Sequence, residues 1–252
     1  DVAPSRGLGD VYKRQEYFKR IVIAADGVEA LQLIKSHTPD IIVSDVMMPR
    51  MNGYELCKNI KEDITISHIP IILLTARDDK QSQLSGYKNG ADAYLTKPFE
   101  IEMLMELIRN RLKNREHTKK RYLNAGLIPT PEESTISLTD ETFLIKLNSI
   151  IQENIENSNL GIQFICQEVG LGRSSLYNKL KALTGMGANE YISKLRIEKA
   201  ITLISGTDMP FSEIAEKTGF TTPSYFSTAF KQYTGETPSQ YKERKKKGLA
   251  GK

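Results

Sequence analysis

The sequence is poor in the residues that disulfide-bonded, metal-binding and membrane-spanning proteins need. Its two cysteines, Cys57 and Cys166, lie far apart and have no neighbours at metal-ligand spacing, so we expect both to be small core residues. No apolar run approaches the roughly 20 residues of a membrane-spanning helix, and the first residues lack a signal-peptide pattern. We therefore expect no membrane contact within this span and a cytoplasmic location.

The composition fits two domains of ordinary size. The chain has 252 residues and a formal net charge of +4, and the C-terminal half is the more basic one. Much of the excess comes from the run 242–247, and such a run is usually a solvated chain end. Charge alone is therefore weak support for a nucleic-acid partner.

The N-terminal half alternates short apolar runs with amphipathic segments. Strand-like runs cover 20–24, 40–44, 70–74 and 93–95, and helices are predicted to begin near Gly27, Gly53 and Asp79. Continuous apolar strands with helical connections predict an open α/β fold around a parallel sheet. Ligands of such a sheet bind at the carboxyl ends of its strands.

Three chemically complementary side chains fall at those strand ends. Asp45 follows the second run, Thr75 ends the third, and Lys97 follows the last. A carboxylate, a hydroxyl and an ammonium at neighbouring strand ends can accept a phosphoryl group. The carboxylate is then the nucleophile, and the other two groups stabilise the phosphoryl oxygens.

The motifs around these residues resemble the CheY-like receiver domain of response regulators. The matching segments, in chain order, are 43–53, 73–76, 90–94 and 95–99. The resemblance implies that Asp45 takes phosphate from a histidine kinase, that Thr75 and Tyr94 form the switch pair, and that Lys97 contacts the phosphoryl group. It also implies a cis bond between Lys97 and Pro98.

The family's Mg²⁺ site is expected to be incomplete here. The resemblance implies that Asp45 and the backbone carbonyl of Met47 hold Mg²⁺ together with an acidic pair that follows the first strand, but both the pair and that strand are absent. We expect residues 1–15 to be a foreign or unstructured leader and 16–117 to be a partial receiver. A receiver that naturally lacks its first strand is the alternative. In the family order 2-1-3-4-5, the loss leaves two strands without their partner.

The two halves are expected to be joined by a helix and a linker. Apolar positions on one stripe predict a helix from about Glu100 to Glu116. The segment 118–139 contains Pro129 and Pro131 and is predicted to be the linker. From Phe143 onward the apolar pattern is helical throughout.

The C-terminal third repeats itself. Gly170 and Gly185 recur as Gly219 and Gly235, offset by 49 and 50 residues. Each copy has the pattern of a helix, a tight glycine turn and a second helix. Two such copies predict an all-α tandem of two helix-turn-helix units. The segments 170–185, 191–200 and 214–241 closely resemble the AraC-type DNA-binding domain. We assign this domain to 140–245 and a basic tail to 246–252.

The recognition helices are predicted to expose a polar face to DNA. Leu176 and Leu180, like Phe226 and Phe230, recur at i, i+4 and should face the core. The opposite face then carries the candidate DNA-binding residues Arg173, Ser174, Tyr177, Asn178, Lys181, Ser224, Tyr225, Ser227, Thr228 and Lys231. Arg and Asn can read base edges, whereas Ser, Thr and Tyr more often hold phosphates. We further expect Thr222 to cap the second recognition helix ahead of Pro223.

These features predict a phosphorylation-controlled transcriptional regulator that binds promoter DNA and forms a homodimer on phosphorylation. The chain resembles the C-terminal part of a hybrid sensor kinase, whose parent chain would be anchored in the inner membrane. The alternatives are a free-standing response regulator and a receiver that acts only through protein contacts. A kinase within this span is not expected, since His37, His68 and His117 lie in no phosphoacceptor setting and are expected at the surface.

Overall fold

A computed structural model describes residues 18–76, 90–124 and 137–249 of the chain. These residues divide into two compact units. The N-terminal unit comprises the described residues within 1–60 and 69–105, and the C-terminal unit comprises those within 61–68 and 106–252.

The N-terminal unit contains a parallel three-stranded sheet. Its strands are β1 (Ile42–Asp45), β2 (Ile71–Thr75) and β3 (Ala93–Thr96), in the spatial order β1-β2-β3. Three successive residues of β2 have no exposed surface, as expected of a central parallel strand covered on both faces. The predicted α/β fold and three of its four strand-like runs are confirmed.

The prediction of a strand at 20–24 is wrong. These residues have no regular structure, and Ile21, Val22 and Ile23 are 40, 43 and 72% exposed. In the 2-1-3-4-5 order this strand would pair with the first strand, and no such strand occurs among the described residues. A strand without a neighbour has no partner for its backbone hydrogen bonds, so β-propensity alone does not form one.

Two helices of this unit begin at the predicted glycines. They are α1 (Gly27–His37) and α2 (Gly53–Glu62). Asp26 caps α1, since its side chain accepts hydrogen bonds from the backbone N–H groups of Val28 and Glu29. The predicted helix near Asp79 lies outside the described residues. The helix that follows β3, α3 (Ile101–Asn124), is longer than predicted, and residues 118–124 of the predicted linker are helical.

The C-terminal unit is helical. It contains α4 (Leu138–Glu153), α5 (Ile162–Val169), α6 (Arg173–Thr184), α7 (Ala188–Gly206), α8 (Phe211–Lys217), α9 (Pro223–Thr234) and α10 (Pro238–Leu249). Helix α4 takes the last residues of the predicted linker, and α10 extends into the predicted basic tail. None of the helices in the described part of the chain combines the length and the hydropathy that a membrane span requires.

The sequence repeat is a structural repeat. Gly170, Gly185, Gly219 and Gly235 all adopt positive φ angles, between 71 and 82°, which glycine adopts without a Cβ penalty at a helix end. Helices α5 and α6 form the first helix-turn-helix unit, and α8 and α9 form the second. As predicted, the side chain of Thr222 accepts a hydrogen bond from the N–H of Tyr225 at the start of α9.

The predicted inward positions of the recognition helices are buried. Leu176 and Leu180 lie in one core with residues of α4 and α5, and Phe226 and Phe230 lie in a second core with residues of α7 and α8. Helix α7 contributes to both cores. It begins at Gly187-Ala188, where a capping side chain is lacking, and Glu190 accepts a hydrogen bond from the N–H of Gly187 at 3.3 Å.

The cysteine and histidine predictions have mixed outcomes. Neither cysteine forms a disulfide in the described part of the chain; Cys57 is buried, and Cys166 is half-buried against the first core. His117 is exposed and His37 is half-buried. His68 departs from the expected surface position, since its Nδ1 atom is buried without a hydrogen-bond partner in the described structure. Burial, followed by the charges of Lys179 and Arg115, lowers its pKa to about 3.

Candidate functional sites

The carboxyl edge of the sheet brings Asp45 and Lys97 together. Asp45 ends β1 and Lys97 follows β3, and the Lys97 Nζ atom contacts Oδ2 of Asp45. The peptide bond between Lys97 and Pro98 is cis, as the resemblance implies. The N–H of Lys97 donates to the carbonyl of Thr75 at 2.7 Å, so the loop that carries the ammonium is fixed to the end of β2.

The two predicted switch residues lie on β2 and β3. Thr75 ends β2 and is fully buried, and its hydroxyl finds no hydrogen-bond partner among the described residues. Tyr94 lies within β3, where it pairs with Leu73 of β2, and is half-buried. A buried hydroxyl without a partner is energetically unfavourable, so the Thr75 side chain has an unused donor at the carboxyl edge.

Backbone contacts hold the loop after β1 close to Asp45. The N–H of Gly53 donates to the carbonyl of Val46 at 2.9 Å, and a Cβ atom at Gly53 would lie 2.3 Å from the carbonyl oxygen of Asp45. Only glycine fits so close an approach of two backbones. Arg50 in the same loop forms an ion pair with Asp26, which ties the loop to the start of α1.

The described residues do not complete an Mg²⁺ site. Receiver domains generally use Mg²⁺ for phosphorylation, and this ion takes oxygen ligands in near-octahedral geometry. The described part of the chain has no cluster of three acidic, histidine or cysteine side chains that could hold a metal ion. Asp45 is one carboxylate, already in contact with an ammonium, and Met47 would add a backbone carbonyl. These two groups do not fit the ion by themselves.

Helix α6 exposes all five polar residues predicted for its outer face. Arg173, Ser174, Tyr177, Asn178 and Lys181 are exposed, and Tyr177 retains 53% of its surface. The start of α6 has no capping side chain, since Gly172 precedes it. Its first backbone N–H groups are therefore open to an anion such as a DNA phosphate.

Helix α9 exposes four of its five predicted residues. Ser224, Tyr225, Thr228 and Lys231 are exposed, whereas Ser227 is half-buried. The hydroxyl of Thr228 donates to the carbonyl of Ser224 at 3.1 Å, and so part of this face is satisfied within the helix. The face carries one cation and no amide, in contrast to α6.

Lys179, which lies on α6 beside Asn178, is not among the predicted site residues. Its side chain is fully buried, and Nζ lies 2.5 Å from Oδ1 of Asp140. A lysine next to the predicted DNA face would normally be assigned to solvent. Helical periodicity places it on the inner side, between Leu176 and Leu183, and this was the available signal.

The comparisons with known families agree with this anatomy. Residues 3–109 match the response regulator receiver domain, and residues 165–244 match a helix-turn-helix domain. The chain is a response regulator with an AraC-type DNA-binding domain. The first match includes residues 3–15, which lie outside the described residues, so the expectation of a foreign leader stays a prediction.

This response regulator is similar to one much longer protein and to one of about its own length. It is 42% identical to "Histidine kinase P4" of Formosa agariphila over 89% of its own length but only 16% of that protein's length. It is 28% identical to the transcriptional regulatory protein HptR of Staphylococcus aureus, over 93% of its own length and 92% of that protein's. A putative response regulator structure from Chloroflexus aurantiacus is 36% identical, with a TM-score of 0.39, over 41% of this chain and 84% of the other.

The two matches give the chain a receiver domain followed by a helix-turn-helix domain. The receiver domain implies a histidine kinase as phosphodonor, and the helix-turn-helix domain implies DNA binding.

Proposed function

We propose that this response regulator is phosphorylated on Asp45 and that phosphorylation controls sequence-specific promoter binding by α6 and α9. The observation that carries the proposal is the contact of Lys97 with Asp45 at the sheet edge of a chain that also exposes two polar recognition helices. A carboxylate nucleophile with an adjacent ammonium is suited to phosphoryl transfer.

In the proposed reaction an Asp45 carboxylate oxygen attacks the phosphorus of a phosphohistidine on the kinase. The new O–P bond forms as the P–N bond breaks, and the imidazole leaves with the electron pair. Lys97 neutralises one phosphoryl oxygen, and the Thr75 hydroxyl donates its unused hydrogen bond to another. The phosphoryl group adds close to two negative charges, which pull Thr75 inward and let Tyr94 change its position.

The two recognition helices have unequal tasks in this proposal. Arg173 and Asn178 on α6 read guanine and adenine edges, because their side chains can make two hydrogen bonds to one base. The hydroxyls and Lys231 on α9 hold phosphates and so contribute more affinity than base choice. Since both units follow one another on one chain, their half-sites form a direct arrangement about 10 base pairs apart. Phosphorylation acts by pairing two such chains.

We propose further that the chain is the C-terminal part of a hybrid sensor kinase whose parent is anchored in the inner membrane. The similarity to a named histidine kinase, of which the chain spans 16%, supports this. The similarity to HptR over 92% of its length favours the second candidate, a free-standing regulator. The genomic sequence upstream of residue 16 distinguishes the two, because only the hybrid places a kinase in the same reading frame.

The phosphoacceptor is tested by incubation with acetyl phosphate and Mg²⁺ followed by intact mass. We define the restored chain as this chain with a receiver's first strand and acidic pair placed ahead of residue 16. We expect a phosphoryl adduct on the restored chain and none on its Asp45→Asn variant. An adduct that survives Asp45→Asn contradicts the proposal, and no adduct on the restored chain favours a receiver that acts only through protein contacts.

A further inference from the structure

A buried polar network lies behind the first recognition helix. Nζ of Lys179 on α6 lies 2.5 Å from Oδ1 of Asp140 in the first turn of α4. The same ammonium donates to the Ser67 hydroxyl at 2.8 Å, and that hydroxyl donates to Asp140 at 2.7 Å. Lys179 and Ser67 have no exposed surface, and Asp140 is 2% exposed. The three side chains therefore form a closed triangle inside the C-terminal unit.

The network pairs two charged side chains with one hydroxyl. Burial would raise the pKa of Asp140, but the charge of Lys179 and the hydrogen bonds from Lys179 and Ser67 outweigh it, and the pKa lies below its ordinary value. The ammonium also lies 5.1 Å from the ring centre of Phe143, a favourable cation–π position. Burial lowers the pKa of Lys179, and the charge and the hydrogen bond of Asp140 oppose that shift.

A buried ion pair is a costly way to hold two helices together. Well-packed apolar residues of similar volume often hold them as well or better, whereas a pair with fixed hydrogen bonds specifies one geometry. An apolar contact lets two helices slide past each other, whereas the triangle fixes the position of Lys179, and therefore of α6, against the start of α4. Asn178 directly precedes Lys179 and faces outward. The same constraint therefore sets the position of the amide that is predicted to read adenine.

The third member of the triangle comes from a distant part of the sequence. Residues 61–68 belong to the C-terminal unit by their contacts but to the span 3–109 that matches the receiver family. They hold α4 at a second point, because the Thr139 hydroxyl donates to the carbonyl of Lys61 at 2.8 Å. The beginning of α4 and the middle of α6 are therefore positioned by a receiver-matching segment.

We infer that Asp140, Lys179 and Ser67 are positioning residues for DNA recognition, and that they set the register of α6 on the bases. The inference rests on the proposed function of α6 as a base-reading helix. It assigns a role to residues that touch no DNA, and it predicts that base discrimination can be lost while the fold is kept.

The test uses the full chain and two DNA duplexes. One duplex is selected from a random library by the wild-type chain, and the other is a shuffled duplex of the same composition. The measured quantity is the ratio of the two affinities at one salt concentration, together with the thermal midpoint of unfolding. The key variant is the double substitution Asp140→Leu with Lys179→Met, which replaces the pair by apolar side chains, and Thr142→Ala on the exposed side of α4 is the control.

For the double variant we expect an unchanged or higher midpoint and a roughly tenfold lower affinity ratio, equivalent to 1.4 kcal/mol. The control should match the wild type in both. A double variant that keeps both its midpoint and its affinity ratio overturns the inference, because the pair would then be only structural.

A second variant covers the case in which the double variant does not fold. Ser67→Ala removes one contact from each charged partner and leaves the pair intact, so the ratio should fall by a smaller factor, about threefold. An unchanged ratio in Ser67→Ala would then overturn the inference. A wild-type chain that enriches no sequence contradicts the proposed function itself, which separates that failure from a failure of the positioning role.

Discussion

The ammonium of Lys97 contacts the carboxylate of Asp45, a residue 52 positions earlier in the chain. Their side chains remain 43 and 37% exposed. An ion pair this open to water contributes about 1 kcal/mol or less to stability. Its position at the carboxyl edge of a parallel sheet suits chemistry better than folding, since both groups can be reached by a phosphodonor.

Replacement of Lys97 by methionine should therefore separate chemistry from stability. In the restored chain we expect Lys97→Met to slow adduct formation on Asp45 by about 100-fold, because an electrostatic stabiliser of the phosphoryl oxygens is removed. The free energy of unfolding should change by about 1 kcal/mol or less. The time course of intact mass gives the rate, and Lys35→Met on the exposed face of α1 is the control. Equal rates for both variants would contradict the assigned role of Lys97.

The two recognition helices should respond differently to substitution. Asn178→Ala on α6 should cost about 1–3 kcal/mol on the selected sequence and relax preference at one base pair, with little effect on random DNA. Lys231→Ala on α9 should weaken binding to all sequences and reduce the salt slope by about one. Titrations on selected and shuffled duplexes at several salt concentrations measure both effects. The same loss on both duplexes for both variants argues against the assignment.

The repeat offers two equivalent glycines with different surroundings. A Cβ atom at Gly219 would lie 2.2 Å from the carbonyl oxygen of Ile155, whereas nothing lies within 4 Å at Gly170. Both have φ angles near +70°, so alanine costs about 1–2 kcal/mol at each for its conformation alone. We expect Gly219→Ala to exceed Gly170→Ala by at least 1 kcal/mol, roughly the cost of an overpacked site. Urea unfolding measures both, and equal losses would show that the close approach is absent.

The protonation of His68 should make the stability of the chain depend on pH. Its pKa of about 3 in the folded state lies below the ordinary value of 6.5, so the unfolded chain binds a proton more readily. Stability from the neutral ring is complete above pH 6.5 and is lost as the pH falls from 6.5 towards 3. His68→Asn cannot titrate and should flatten this part of the profile of the thermal midpoint. Parallel profiles for the variant and the wild type would contradict the burial of the ring.

Much of the receiver site follows from the sequence, because the ends of parallel strands meet at one edge of the sheet. That rule alone brings Asp45 and Lys97 together, as their contact in the structure confirms. The strand expected at 20–24 failed for a related reason, since a strand forms only beside a partner. Residue patterns record which face of a strand is apolar, but not whether its neighbour is present.

In the helical half, too, local patterns were predictable and contacts with distant residues were not. The 49- and 50-residue offsets predicted the glycine turns, and the i, i+4 spacing predicted the buried positions of α6 and α9, because these depend on local periodicity. Lys179 could not be assigned from the sequence in the same way. Its burial depends on Asp140 and Ser67, which lie 39 and 112 residues away, and periodicity indicates a face without naming the residues opposite it.

The central claim is that phosphorylation of Asp45 controls DNA binding. The most direct measurement is the affinity of the restored chain for its selected duplex with and without acetyl phosphate. The account predicts tighter binding and a dimeric complex after phosphorylation, and neither change in the Asp45→Asn variant. An affinity and an oligomeric state that stay the same while intact mass shows the adduct on Asp45 would contradict it.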